Sequence, residues 1–171
     1  MAAVSTSTLT VPGPMLRRGF WLYVWRVETP KGEMLYVGRT GDNSSPNATA
    51  PYTRMGQHLG FIKTQNALRK HLTARGVEPE DCANFHLIAH GPIFPEIDKD
   101  EGLDRATLME RHKPFRDRVG ALEKALAEAL RESGYTVLNT VNWSKPHDSD
   151  AWQSVRTAFA EHFPRLAEVP A

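Results

Sequence analysis

Phe20-Trp21-Leu22-Tyr23-Val24-Trp25-Arg26-Val27, a Pro30-Lys31-Gly32 break, then Met34-Leu35-Tyr36-Val37-Gly38: this stretch decides the fold. Eight mostly aromatic and β-branched residues, a Pro/Gly interruption and a second apolar run predict a β-hairpin. The first run is apolar at both parities, which predicts a strand covered on both faces. Each strand carries a tyrosine, Tyr23 and Tyr36, and Gly38 opens the chain toward a basic helix.

Outward from the hairpin, Gly41 to Pro51 is rich in Asp, Asn, Ser, Pro and Thr and reads as a loop. Thr53 can cap a helix beginning at Arg54, with Gly60 as a possible end. A second helix fits Thr64 to Ala74, apolar at Ala67, Leu68 and Leu72, with Gly76 just past it. Phe85 to Ala89 predicts a third strand closed by Gly91-Pro92. The acidic, proline-bearing segment Pro92 to Leu103 predicts a loop. Lys113-Pro114 reads as a helix boundary, because a residue before proline disfavours helical geometry while proline suits a first turn. From there Phe115 to Glu132 predicts a helix that Gly134 stops. Its stripe is Phe115, Val119, Leu122, Leu126, Ala129 and Leu130, with Glu123 on the stripe's edge and Glu128 and Glu132 pointing away. Tyr135 to Leu138 is a short extended segment leading to Asn139. The fold class is therefore α+β: a small antiparallel sheet of about three strands flanked by helices, with an extra C-terminal helix.

Residues 1–17 are expected to be a disordered lead-in without the pattern of a signal peptide, residues 18–143 the domain, and residues 144–171 a linker and an amphipathic helix (Asp150 to Phe163, ended by Pro164) that packs on it. A length of 171 residues with 40% hydrophobic and 24% charged content fits one domain with a real core. No apolar run approaches the ~20 residues of a membrane span. The single cysteine, Cys82, excludes an intramolecular disulfide and suits a reducing compartment, so a cytoplasmic location is expected.

The net charge of +1 hides an asymmetry. Thr53 to Gly76 holds five cationic residues (Arg54, Lys63, Arg69, Lys70, Arg75) and no acid, whereas Val77 to Glu110 holds nine acids against Lys99 and Arg105. Segregation of this kind suits a face for a polyanion. It also suits a solvated helix followed by an acidic surface loop.

Taken in order, Trp21-Leu22-Tyr23, Tyr36-Val37-Gly38, Arg54-Met55-Gly56-Gln57-His58, Ala121-Leu122-Glu123 and Leu138-Asn139 resemble the motifs of the GIY-YIG nuclease superfamily. The resemblance runs from about Phe20 to Asn142. Two departures stand out: Trp21 occupies the place of the first motif's glycine, and the loop from Gly41 to Tyr52 is long. The resemblance implies hydrolysis of DNA phosphodiester bonds with one divalent metal, Mg²⁺ or Mn²⁺, and no small-molecule cofactor or membrane. It implies that Tyr23 activates the water, that Tyr36 orients it or the phosphate, and that Arg54 clamps the scissile phosphate through its planar fork. His58, one turn after Arg54, would orient Tyr23 or pass a proton. Glu123 would hold the metal, since a hard ion that keeps several waters needs few carboxylates. Asn139 would hydrogen-bond near the phosphate or a metal water. Lys63, Arg69, Lys70 and Arg75 would supply backbone affinity for DNA, and Arg39 could join them or reach the site. Two other readings stay open: a catalytically silent module of the same fold that binds nucleic acid or protein, and a generic interaction domain.

Overall fold

In a computed structural model that describes residues 4–168, the hairpin is strand β1 (Gly19–Thr29) paired antiparallel with β2 (Gly32–Arg39). Pro30 and Lys31 make the turn, with Thr29 opposite Gly32. A third strand, β3 (Asn84–Pro95), pairs antiparallel with β1 on its other side, giving the order β2-β1-β3. The expected α+β class and three-stranded antiparallel sheet are therefore present.

β1 is the central strand and is buried from Gly19 to Trp25, as apolarity at both parities predicts. Phe20, Leu22 and Val24 point into one core with Leu35, Val37, Val119, Leu122 and Leu126. Tyr23, Trp25 and Val27 point into a second with Met34, Leu68 and Leu72. Each fully buried side chain of this size contributes about 1.5–3 kcal/mol, so a strand feeding two cores anchors the whole molecule.

Helices α1 (Pro51–Leu59) and α2 (Ala67–Ala74) belong to the second core; α3 (Arg105–Glu132) and α4 (Ser149–Ala160) belong to the first. Four boundaries depart from the sequence expectation. α1 starts at Pro51 without a side-chain cap rather than after Thr53, because proline's fixed φ suits a first helical turn. α2 starts at Ala67 rather than Thr64, since Ile62 to Asn66 closes turns of its own. β3 continues through Gly91-Pro92 to Pro95, which an edge strand tolerates because its outer amides have no ladder to serve.

The fourth departure is the largest. Lys113-Pro114 is no boundary: α3 runs 28 residues with Pro114 inside it. Asp104 caps its start by accepting from the Thr107 amide at 2.7 Å. A proline inside a helix costs roughly 3 kcal/mol. Here packing outweighs it, with His112 and Phe115 stacked on Phe20 at 4.9 and 5.7 Å between ring centres. Downstream, Glu132 ends the helix just before Gly134, and Val137 bridges to Leu35 alongside β2.

The C-terminal helix packs on the domain through buried Val155 and Phe159, stops at Ala160, and is followed by a short 3-10 turn at Pro164–Ala167. Within the expected lead-in, residues 4–12 carry no regular element. Gly13–Leu16 forms a 3-10 turn, and Val11 and Met15 are half-buried in a cleft of about 380 Å³ shared with Trp25, Tyr52 and Met55. Val4, Leu9 and Leu16 of the same segment stay exposed. Residues 1–3 and 169–171, included in those two terminal expectations, lie outside the described residues. Among the described residues no helix is long and apolar enough to cross a membrane.

Candidate active site

The register of the hairpin builds the site. Tyr23 stands directly opposite Gly38, and Tyr36 opposite Trp25, so both phenols are on the α1–α2 side of the sheet. A Cβ on Gly38 would lie 2.5 Å from Tyr23 Cε2 and 2.6 Å from its Cζ and Oη. The glycine of the Tyr-Val-Gly motif is thus the space in which the Tyr23 ring sits.

α1 delivers His58 onto both tyrosines. Tyr23 Oη and His58 Nε2 are hydrogen-bonded at 2.7 Å, and the His58 ring lies 5.6 Å from that of Tyr23 and 5.0 Å from that of Tyr36. Tyr36 also meets His71 at 5.6 Å. His58 is 1% exposed, and its Nδ1 has no hydrogen-bond partner among the described residues. Burial first, then the Arg54 guanidinium, push its pKa down to about 3, so the imidazole is neutral at physiological pH. Burial likewise pushes the Tyr23 phenol up to about 12, with Arg54 and Arg39 pulling in the opposite direction. Tyr36 is raised for the same first reason. In the free protein both phenols are protonated.

Arg54, one turn before His58, is held by Gln57 Oε1 at 2.9 Å and stands 3.9 Å from Asp42 Oδ2. Burial opposes its charge, yet Tyr23 and Asp42 raise its pKa beyond the ordinary value. Asp42 comes from the long polar loop, whose shape rests on the unexpected first half of α3. His112 Nε2 bonds the Asp42 carbonyl at 3.0 Å, and Arg105 donates to the Ser44 carbonyl at 2.8 Å. Asp42 and Ser44, with Ser45, Asn47, Thr49 and Gln57, bound a polar cleft of about 200 Å³ at Arg54.

Glu123 reaches the site from α3. It is 8% exposed, as its place on the stripe's edge implies, and it forms an ion pair with Arg39. Burial raises its carboxyl above the ordinary range, while Arg39 and then Arg54 pull it back. Glu123 and Arg39 both act electrostatically on Tyr23 and Tyr36, which puts the carboxylate, both guanidinium groups and both phenols in one electrostatic field.

Several expected roles change. In the free protein Arg39 does not lie on the surface: its side chain is 12% exposed, paired with Glu123 and 4.6 Å from the Trp143 ring centre. Asn139 does not face the cleft. Its Oδ1 accepts from the Val37 amide at 3.0 Å and its Nδ2 donates to the Val37 carbonyl at 2.8 Å, so it extends the sheet by one rung. Arg69 is a strut between α1 and the acidic segment, donating to the Leu59 carbonyl and pairing with Glu80 at 2.8 Å. Lys63, Lys70 and Arg75 are exposed. Trp21 fits because the β1–β3 register shifts beside it; its amide donates to Thr40 Oγ1 at 2.8 Å and its indole to the Arg17 carbonyl at 3.1 Å. Sequence reasoning missed Asp42, Gln57, Thr40 and Trp143. Only a loop acid beside a motif hinted at the first of them.

One carboxylate suits a hydrated Mg²⁺ or Mn²⁺ that draws its remaining ligands from water and phosphate, and among the described residues no group of three or more His, Cys, Asp or Glu offers a dedicated cage. Glu123 is the residue here that could hold such an ion; one of its oxygens is engaged by Arg39. Comparison of the chain with protein-family models, curated proteins and solved structures returns no match, so the functional reading rests on this arrangement of side chains.

Proposed function

We propose that the chain is a metal-dependent endonuclease of GIY-YIG type that hydrolyses DNA phosphodiester bonds. The observation that carries the reading is the buried Tyr23–His58 hydrogen bond beside Arg54, on a hairpin whose other side brings Glu123. A structural tyrosine needs none of that company. Arg54 holds a non-bridging phosphate oxygen, its guanidinium already oriented by Gln57 and Asp42. Tyr23 first releases its own proton to solvent, an ionisation that Arg54 and Arg39 favour, and the phenolate then takes the proton of the attacking water. His58 orients Tyr23 rather than relaying its proton, because an imidazole titrating near 3 resists a second proton. As Tyr23 ionises, Nε2–H of the neutral ring donates to the phenolate. A bound Mg²⁺ or Mn²⁺ supplies positive charge against the phosphate and the attacking water. Exposed Lys63, Lys70 and Arg75 contribute sequence-independent affinity for the backbone.

A second reading, a catalytically silent module that binds nucleic acid or protein, is favoured by one feature: at rest Tyr23 is protonated and Glu123 is closed by Arg39. A Mg²⁺-dependent assay on plasmid, branched and single-stranded DNA separates the two. Wild type cuts, while Arg54→Ala and Glu123→Ala lose on the order of 10²-fold or more with their circular dichroism unchanged. Cutting that survives both substitutions, or binding without cutting on all substrates with both metals, refutes the nuclease.

A further inference from the structure

Arg39 is built into the site more firmly than a surface cation needs to be. It follows Gly38 at the end of β2, pairs with the buried Glu123, and holds its Cζ over the Trp143 ring, 4.6 Å from the centre. Trp143 is itself fixed: its indole donates to the Asp117 carbonyl at 3.2 Å, and a Cβ on Gly120 would come within 2.6 Å of its ring. Yet the guanidinium is not fully satisfied, for its buried Nε has no hydrogen-bond partner among the described residues. A planar, five-donor group with a spare donor, in electrostatic reach of Tyr23 and Asp42, can exchange its carboxylate for a phosphate.

From this geometry we infer that Arg39 is a substrate-released latch: it closes Glu123 to divalent cations in the free protein and moves to a DNA phosphate on binding, freeing the carboxylate. The inference rests on the nuclease reading and adds how that site is regulated. Two cations compete for one buried carboxylate, and the phosphate decides the competition. Metal and DNA then bind cooperatively, each tightening the other by the same factor. An idle protein carrying this latch holds no loaded metal with which to attack water.

The test is Mn²⁺ binding followed by the electron paramagnetic resonance of free Mn²⁺, with and without a phosphorothioate duplex that resists cleavage. Wild type is expected to bind Mn²⁺ at least tenfold more tightly with the duplex than without it. Arg39→Gln binds Mn²⁺ at least tenfold more tightly than wild type in the absence of DNA, and the duplex then raises its affinity by a smaller factor than in wild type, the remainder being ligation of the ion by the phosphate itself. Adding Glu123→Gln to Arg39→Gln abolishes the gain. Trp143→Leu keeps the ion pair but removes the stacking platform, so it gives an intermediate gain; it carries the test should Arg39→Gln not fold. Equal Mn²⁺ affinity of wild type and both variants overturns the latch. If wild type still cuts DNA in that case, the latch alone falls. If nothing binds Mn²⁺ and nothing cuts, the nuclease reading falls with it.

Discussion

Replacing Gly38 by alanine adds one methyl group at the tightest point of the site. Elsewhere in a strand such a change is favourable by roughly 0.5–1 kcal/mol, because alanine has less backbone entropy to lose. At Gly38 the new Cβ would sit 2.5 Å from Tyr23 Cε2, so the ring must retreat by about 1 Å to reach ordinary contact. It has nowhere to go, since Tyr23 is 1% exposed between Trp25 and His58. Overpacking of this kind costs about 1–3 kcal/mol, and loosening the buried 2.7 Å bond to His58 adds on the order of 1 kcal/mol. With the backbone gain of roughly 0.5–1 kcal/mol set against these costs, urea denaturation should show Gly38→Ala less stable by about 1–3.5 kcal/mol. Cutting should fall about 10²-fold, as expected when a catalytic group moves by 1 Å. Tyr23→Ala in the same chain removes the obstructing ring, so the double variant should be more stable than the sum of the two single costs predicts. A Gly38→Ala protein within 0.5 kcal/mol of wild type, or strict additivity with Tyr23→Ala, would show that the glycine is not there for the tyrosine.

Other consequences are as direct. Asn139→Ala strips two partners from the Val37 peptide and should cost about 2–4 kcal/mol in denaturant, whatever happens to catalysis; an Asn139→Ala protein of unchanged stability would refute the clamp. His58 titrates near 3 when folded and near the ordinary 6.5 when unfolded, so the unfolded chain takes up its proton first as pH falls. The stability tied to neutral His58 is therefore whole above about pH 6.5 and lost toward pH 3, at up to about 1.4 kcal/mol per pH unit. Between pH 6 and 4 the Tm of His58→Gln should fall less than that of wild type. Ultraviolet titration should find two of the four tyrosines ionising late, and Tyr23→Phe and Tyr36→Phe should each remove one late step. Their acid forms are retained by burial, so this contribution to stability is present below pH 10 and disappears above it.

Much of the fold was legible because its signals are local. The Pro/Gly break between two β-rich runs, the double-sided apolarity of Phe20 to Val27, and the stripe of Val119, Leu122, Leu126 and Leu130 are all read within one element. Glu123 could be placed near the core for the same reason, since helical periodicity alone sets its angle to that stripe. Pro114 misled for a matching reason: its local preference is to start a helix, and only the stacking of His112 and Phe115 on Phe20, more than ninety positions away, carries the helix through it.

The sequence by itself determined which side chains are available, their order, and the hairpin that sets Tyr23 and Tyr36 on one side of the sheet. Only the tertiary structure decided their partners: His58 on Tyr23, Arg39 on Glu123, and Asn139 on the Val37 peptide rather than at the cleft. The physical reason is separation along the chain. Periodicity and propensity act within a few residues, whereas these contacts join positions 35 to 102 apart, where the shape of the packed cores chooses among the polar groups that burial has left in need of one another.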